Sequence, residues 1–179
     1  MTVRGRAVLS VLALLGSGCG SQQRPTLGFG RPATAAEIAA WDIDVRPDGV
    51  GLPPGSGVPS QGAVIYARKC AACHGATGTE GPFERLVGRE PRQGFPFGRD
   101  PRLVKTVGNY WPYASTLYDY VNRAMPLDAP GSLTPDEVYS LVAFLLWRNE
   151  IIPNTDEMNA QTLPRVVMPA RDRFVPDNR

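Results

Sequence analysis

The chain has 179 residues, 42% of them hydrophobic and 20% charged, which suits one globular domain with chain to spare and excludes a disordered acidic polymer or a multidomain enzyme. Nineteen Lys and Arg face seventeen Asp and Glu, a formal charge of +2, and without Arg4 and Arg6 the count is even. Nucleic acid binding, which needs a concentrated basic face, is not expected.

In chain order, Arg4 and Arg6 precede the apolar run Ala7 to Leu15, which has the shape of a secretory h-region and is about half as long as the roughly 20 residues that span a bilayer. Residues 1–18 are therefore expected to direct export to the periplasm. Gly16-Ser17-Gly18-Cys19 resembles a lipoprotein processing site, although Gly16 stands where leucine is usual. A lipid on Cys19 would be the chain's membrane contact. Residues 19–59 read as an extended arm, because Gly49, Gly51, Pro53, Pro54, Gly55, Gly57 and Pro59 leave no room for regular hydrogen-bonded structure. The exception is Thr34 to Trp41, a short helix with Thr34 as N-cap and Glu37 completing a capping box.

The packed domain is expected over residues 60–150, and three segments in it carry a helical period. Ser60 is read as the cap of a helix running to Cys70, with Gly62, Tyr66 and Cys70 on one face. Tyr113 to Ala124 is the second, with Leu117, Tyr120, Val121 and Ala124 at i, i+3, i+4 and i+7. The third starts at Thr134-Pro135-Asp136-Glu137, which supplies the N-cap, a proline at N1 and the reciprocal glutamate. Val138, Leu141, Val142, Leu145 and Leu146 then form its apolar stripe, which ends at Asn149. No run alternates with a period of two, so the fold class is all-α. Residues 151–179, punctuated by Pro153, Pro164, Pro169 and Pro176, form a second arm. Trp41, Ile43, Val45, Val166, Val167 and Phe174 in the two arms have no private core and must drape over the domain or over a partner.

The chemistry is concentrated in Cys70-Ala71-Ala72-Cys73-His74. Two thiols three residues apart at a helix end lie on one side of the chain and can add across the two vinyl groups of a haem, while the adjacent His74 binds the iron from below. A zinc site lacks a second ligand pair or another histidine, and a thioredoxin-like disulfide would need a strand–turn–helix setting. For the sixth iron position the candidates are Met125, on a proline-rich loop between the second and third helices, and Met158 and Met168 in the C-terminal arm. Core packing is the ordinary fate of methionine, and the loop position favours Met125 as the ligand. Tyr110, Trp111, Tyr113 and Arg123 are candidates for lining the haem edge and its propionates. Arg85, Arg89, Arg92, Arg99 and Arg102 form a basic stretch that is either solvated or a docking face for an acidic partner.

Over residues 60–150 these features resemble class I cytochromes c. The spacing Gly62, Tyr66, Cys70 looks like that family's first helix, and Leu141 and Phe144 look like the partners it crosses in the last. The resemblance implies that the Pro82 carbonyl, in Gly81-Pro82, accepts a hydrogen bond from the His74 imidazole. A narrower resemblance covers the arms. Residues 28–34, 41–49, 51–57, 109–114 and 167–172 look like cytochrome subunits that accompany molybdenum sulfite dehydrogenases and the related sulfane dehydrogenase.

What this implies is one covalent haem c on this chain, held by Cys70, Cys73, His74 and Met125, with a molybdopterin only on a larger partner. Electrons would pass through the haem to a soluble cytochrome or oxidase. The chain is expected to have no catalytic side chains of its own and to be an electron-transfer subunit of an oxidoreductase. A free-standing electron shuttle is the alternative, and a haem sensor or peroxidase-like catalyst with an open iron is a weaker third reading.

Overall fold

The computed structural model describes residues 28–175, so the expected signal segment and Cys19 lie outside the described residues. Among the described residues, five helices and one two-residue strand pair make up the regular structure: α1 (Ala35–Trp41), β1 (Ser56–Gly57), α2 (Pro59–Lys69), α3 (Ala71–His74), α4 (Ala114–Ala124), α5 (Pro135–Arg148) and β2 (Met158–Asn159). Single 3-10 turns add Pro96–Gly98, Leu163–Arg165 and Arg171–Arg173.

The centre of the fold is α5, whose residues Val138 to Leu146 are all buried. Its start is as the sequence reads: Thr34 and Thr134 both cap their helices with a Glu three residues on in a full capping box. Helix α2 crosses α5 at Gly62, where a β-carbon would overlap the Ser140 carbonyl and come within 2.6 Å of Phe144 Cβ. Glycine there lets the two backbones touch, and Tyr66 and Phe144 pack beside the crossing with ring centroids 5.0 Å apart. The helix begins one residue earlier than Ser60 suggests. Pro59 fills N1, Val58 is the cap, and the Gln61 carboxamide oxygen accepts from the Val58 N–H at 3.3 Å.

In α4 the buried residues are Ala114, Ser115, Leu117, Tyr118, Asp119 and Val121. Tyr120 was expected on the inner stripe but is about half exposed and meets Trp111 edge-on. Tyr118 takes the inner place and packs against Tyr139 at 4.6 Å, because α4 meets α5 on one flank and the N-terminal segment on the other.

The arms divide. Residues 45–59 and 151–170 complete the domain, contrary to the expectation that the N-terminal arm holds no regular pairing: Ser56 and Gly57 pair antiparallel with Asn159 and Met158. Val45, Met158, Leu163 and Met168 join the hydrophobic core. Tyr139 Oη donates to the Pro53 carbonyl and Ser115 Oγ to that of Pro47. Residues 28–44 behave differently. No residue of α1 is buried, and Phe29 and Trp41 are 90% and 87% exposed.

Candidate functional site

The sequence around Cys70 folds as a joint. Helix α2 ends at Cys70, which serves as its C-cap, and the single turn of α3 carries Cys73 and His74. Tyr66, one turn earlier, is buried, and its hydroxyl donates to the Gly75 carbonyl at 2.9 Å. This bond braces the end of the motif from below, and burial pushes the phenol up to about 12. Gly75 and Gly81 bring the following loop back onto the motif: a β-carbon on Gly81 would overlap the Cys73 carbonyl, and one on Gly75 would meet the Gly81 nitrogen at 2.8 Å. Between them Glu80 holds the turn closed, accepting from the Thr77 and Thr79 hydroxyls and from both backbone N–H groups. These bonds, the Thr77 hydroxyl first, bring its carboxyl down to about 2.

Both thiols are free. Cys70 is half-buried and Cys73 exposed, and desolvation pushes the Cys70 thiol up to about 11. His74 Nδ1 lies 2.8 Å from the Glu84 carbonyl oxygen. A carbonyl only accepts, so Nδ1 carries the proton and Nε2 presents a lone pair, which is the tautomer a metal-binding imidazole requires. The acceptor is Glu84, not the Pro82 carbonyl that the family resemblance implied. Phe83 N–H donates to the Cys73 carbonyl at 3.1 Å, which carries the chain past Pro82 before the next carbonyl reaches the imidazole.

The loop that carries Glu84 is itself fixed. Leu86 N–H donates to the Gly78 carbonyl at 2.9 Å, and the buried Asn149 at the end of α5 accepts from Gly88 N–H at 2.9 Å and donates to the Leu86 carbonyl at 3.2 Å. Sequence reasoning read Asn149 only as a helix stop. No sequence pattern announces a side chain that reaches 61 positions back.

Two free thiols at this spacing, with a histidine whose Nε2 is free to ligate, fit covalent attachment of a haem. The zinc alternative finds no support, since among the described residues no group of three or more His, Cys, Asp or Glu is gathered. The motif runs from the C-cap of α2 through α3, so a helix and not a strand leads into it, which is not the strand–turn–helix setting of a thioredoxin-like disulfide.

The other candidates fare unequally. Met125 directly follows α4 as its C-cap, half-buried against the core. Met158 and Met168 are core residues at 3% and 2% exposure, which removes them as competitors. Trp111 is half-buried, but its indole N–H donates to Thr116 Oγ1 at 3.0 Å. Arg123, a candidate for a propionate, has its guanidinium bound to Asp119 on the same helix. Tyr110 belongs to an aromatic cluster with Phe95, Phe97 and Phe174, and Tyr113 lies under Arg171. Of the basic stretch, Arg85 and Arg89 donate to backbone carbonyls, Arg92 pairs with Glu90 and Glu150, and Arg102 pairs with Asp100. Four of its five charges are thus engaged within the domain.

Helices α2 and α5 crossed at a glycine, with a Cys-x-x-Cys-His joint beside the crossing, define a class I cytochrome c. The family model described as cytochrome c oxidase, cbb3-type, subunit III matches residues 57–145. The crystal structure of the sulfane dehydrogenase SoxCD from Paracoccus pantotrophus is similar, with 41% sequence identity and a TM-score of 0.74 over 86% of this chain and 74% of that one. Thiosulfate dehydrogenase of Allochromatium vinosum is 28% identical over 109 residues, which are 61% of this chain and 34% of that protein, so this chain matches about a third of the length of that curated relative. The chain belongs to the c-type cytochromes, a family whose members carry covalently bound haem c. No described helix is long and apolar enough to cross a membrane.

Proposed function

We propose that this protein carries single electrons through one haem attached at Cys70 and Cys73 and ligated by His74 and Met125, as the cytochrome subunit of a periplasmic sulfane- or sulfite-oxidising complex. The observation that carries the reading is the His74 imidazole, turned by the Glu84 carbonyl so that Nε2 is free beside two free thiols. Histidine–methionine ligation supplies iron that cycles between Fe(III) and Fe(II) and is shielded from external ligands. The protein's own side chains hold and orient the group. Tyr66 braces the motif, Glu80 and Asn149 fix the loop beneath the imidazole, and no general acid or base is needed.

The partner is proposed to be a larger subunit holding a molybdopterin, with a soluble cytochrome or oxidase as acceptor. Similarity to the sulfane dehydrogenase supports this, as does the N-terminal segment. Helix α1 is capped at Thr34 and tied by Arg31 to Glu37, yet its Ile38 and Trp41, with Phe29 and Ile43 nearby, stay exposed. A seven-residue helix with an unburied apolar face is marginal alone and gains stability against a second surface.

A free-standing shuttle draws support from one observation, the use of residues 45–59 and 151–170 to complete the domain's own core. Native purification with metal analysis separates the two readings. Copurified molybdenum together with sulfite- or thiosulfate-dependent haem reduction is the expected result. A monomer without molybdenum, reduced by neither compound, would favour the shuttle.

A further inference from the structure

Asp119 is the one carboxylate among the buried described residues. Its Oδ1 accepts from the Val45 backbone N–H at 2.8 Å and from Arg123 Nε at 2.9 Å, and its Oδ2 accepts from Arg123 Nη2. One turn earlier on the same face of α4, Ser115 Oγ donates to the Pro47 carbonyl at 2.8 Å. Ser115, Asp119 and Arg123 thus form an i, i+4, i+8 polar stripe that fastens residues 45–47 along the helix. The stripe ends in the last turn, two residues before Met125, whose N–H donates to the Val121 carbonyl at 3.1 Å.

An exposed ion pair would contribute little here. This carboxylate is buried, and its second partner is a buried backbone N–H that would otherwise be orphaned. The guanidinium it holds also sits at the negative end of the helix. A methionine has three rotatable side-chain bonds, so how firmly it stays at a fixed point depends on how firmly its backbone is held.

We propose that Asp119 is a positioning residue for Met125: it joins the N-terminal segment to the last turn of α4, so that the hold of the methionine on the iron depends on this three-way contact. This rests on Met125 being the sixth ligand. The exposed stretch 28–44 runs directly into Val45, which makes the segment that would meet a partner continuous with the ligand-bearing turn.

The test uses the ferric, haem-loaded full chain, with imidazole as the competing ligand and the charge-transfer band of methionine-ligated ferric haem as a second readout. Asp119→Ala is expected to raise imidazole affinity about tenfold or more, the size typical of lost outer-shell partners of a metal ligand, and to weaken the band. Asp119→Asn keeps an acceptor for the Val45 N–H and is expected to fall between Asp119→Ala and the native protein; it carries the test if Asp119→Ala does not fold. Ser115→Ala loosens the same segment at the far end of the helix and should lower stability without changing imidazole affinity. Unchanged imidazole affinity and band in both Asp119 variants, with only stability reduced, would overturn the proposal. Met125→Ala separates the two failures: if it leaves the band intact, the ligand assignment itself is wrong, whereas if it abolishes the band while the Asp119 variants do not disturb it, only the positioning role falls.

Discussion

Replacing Asn149 with alanine tests whether α5 fixes the loop under the histidine. The side chain is 1% exposed. It accepts from Gly88 N–H at 2.9 Å and donates to the Leu86 and Leu145 carbonyls at 3.2 and 2.8 Å. Each bond contributes about 1 kcal/mol net, and an orphaned donor costs about 1–3 kcal/mol. The Leu86 carbonyl still receives Val107 N–H at 3.1 Å, so the uncompensated group is the Gly88 amide. Alanine suits the local backbone, with φ −91° and ψ 12°, so the loss lies in the hydrogen bonds. The expected destabilisation is about 3–5 kcal/mol, about a fifth or more of the roughly 5–15 kcal/mol that domains possess. Asn149→Asp keeps Oδ1 but sets a buried carboxylate oxygen against the Leu86 and Leu145 carbonyls at the negative end of α5, and should cost at least as much as alanine. Denaturant unfolding of the haem-loaded protein, followed by far-ultraviolet circular dichroism, measures both. A loss below about 1 kcal/mol for Asn149→Ala would refute the assignment of Asn149 as the anchor of this loop.

At the helix crossing, Gly62→Ala is expected to cost about 2 kcal/mol or more, since the new methyl overlaps backbone at Ser140 and helix propensity recovers only about 0.5–1 kcal/mol. Gly98→Ala, where a β-carbon meets nothing within 4 Å, should be near neutral in the same unfolding assay. Thr134→Ala removes the α5 cap and should lower stability by about 1 kcal/mol, measured as a shift in denaturation midpoint. Glu37 is brought from 4.5 to about 2 by Arg31 first and then by Thr34. Because its folded value is depressed, its support of α1 is complete above pH 4.5 and is lost as pH falls toward 2. A carboxyl resonance of Glu37 with its midpoint well below 4.5 is expected, and one at the ordinary value would show that the Arg31 contact does not persist in solution.

How much could be read in advance depends on whether the information was local. Thr134, Pro135 and Glu137 form a cap from residues within four positions of one another, and α5 starts where they place it. The Gly62, Tyr66, Phe144 crossing was legible through the resemblance to class I cytochromes c, in whose first and last helices these residues have counterparts. Tyr118 and Tyr120 exchanged places because the stripe was drawn for one neighbour, and α4 has two. Val45 was read as draping over the domain or a partner, whereas the burial of Leu163 and Met168 was hidden because a segment that covers a core in extended form needs no period. At the site, Cys70, Cys73 and His74 are consecutive in a motif. The Glu84 carbonyl is a backbone group that any residue would supply, and Asn149 acts across 61 positions. The Arg123–Asp119 pair was not singled out because its i, i+4 spacing is shared by many surface pairs.

The most direct measurement is the mass of the intact protein, matured in a periplasm competent for cytochrome c assembly, with fragmentation across residues 70–74. The expected mass is that of the polypeptide plus one haem, carried as thioethers on Cys70 and Cys73 and absent from Cys70→Ala/Cys73→Ala. A product with the polypeptide mass alone and no Soret absorbance would contradict it.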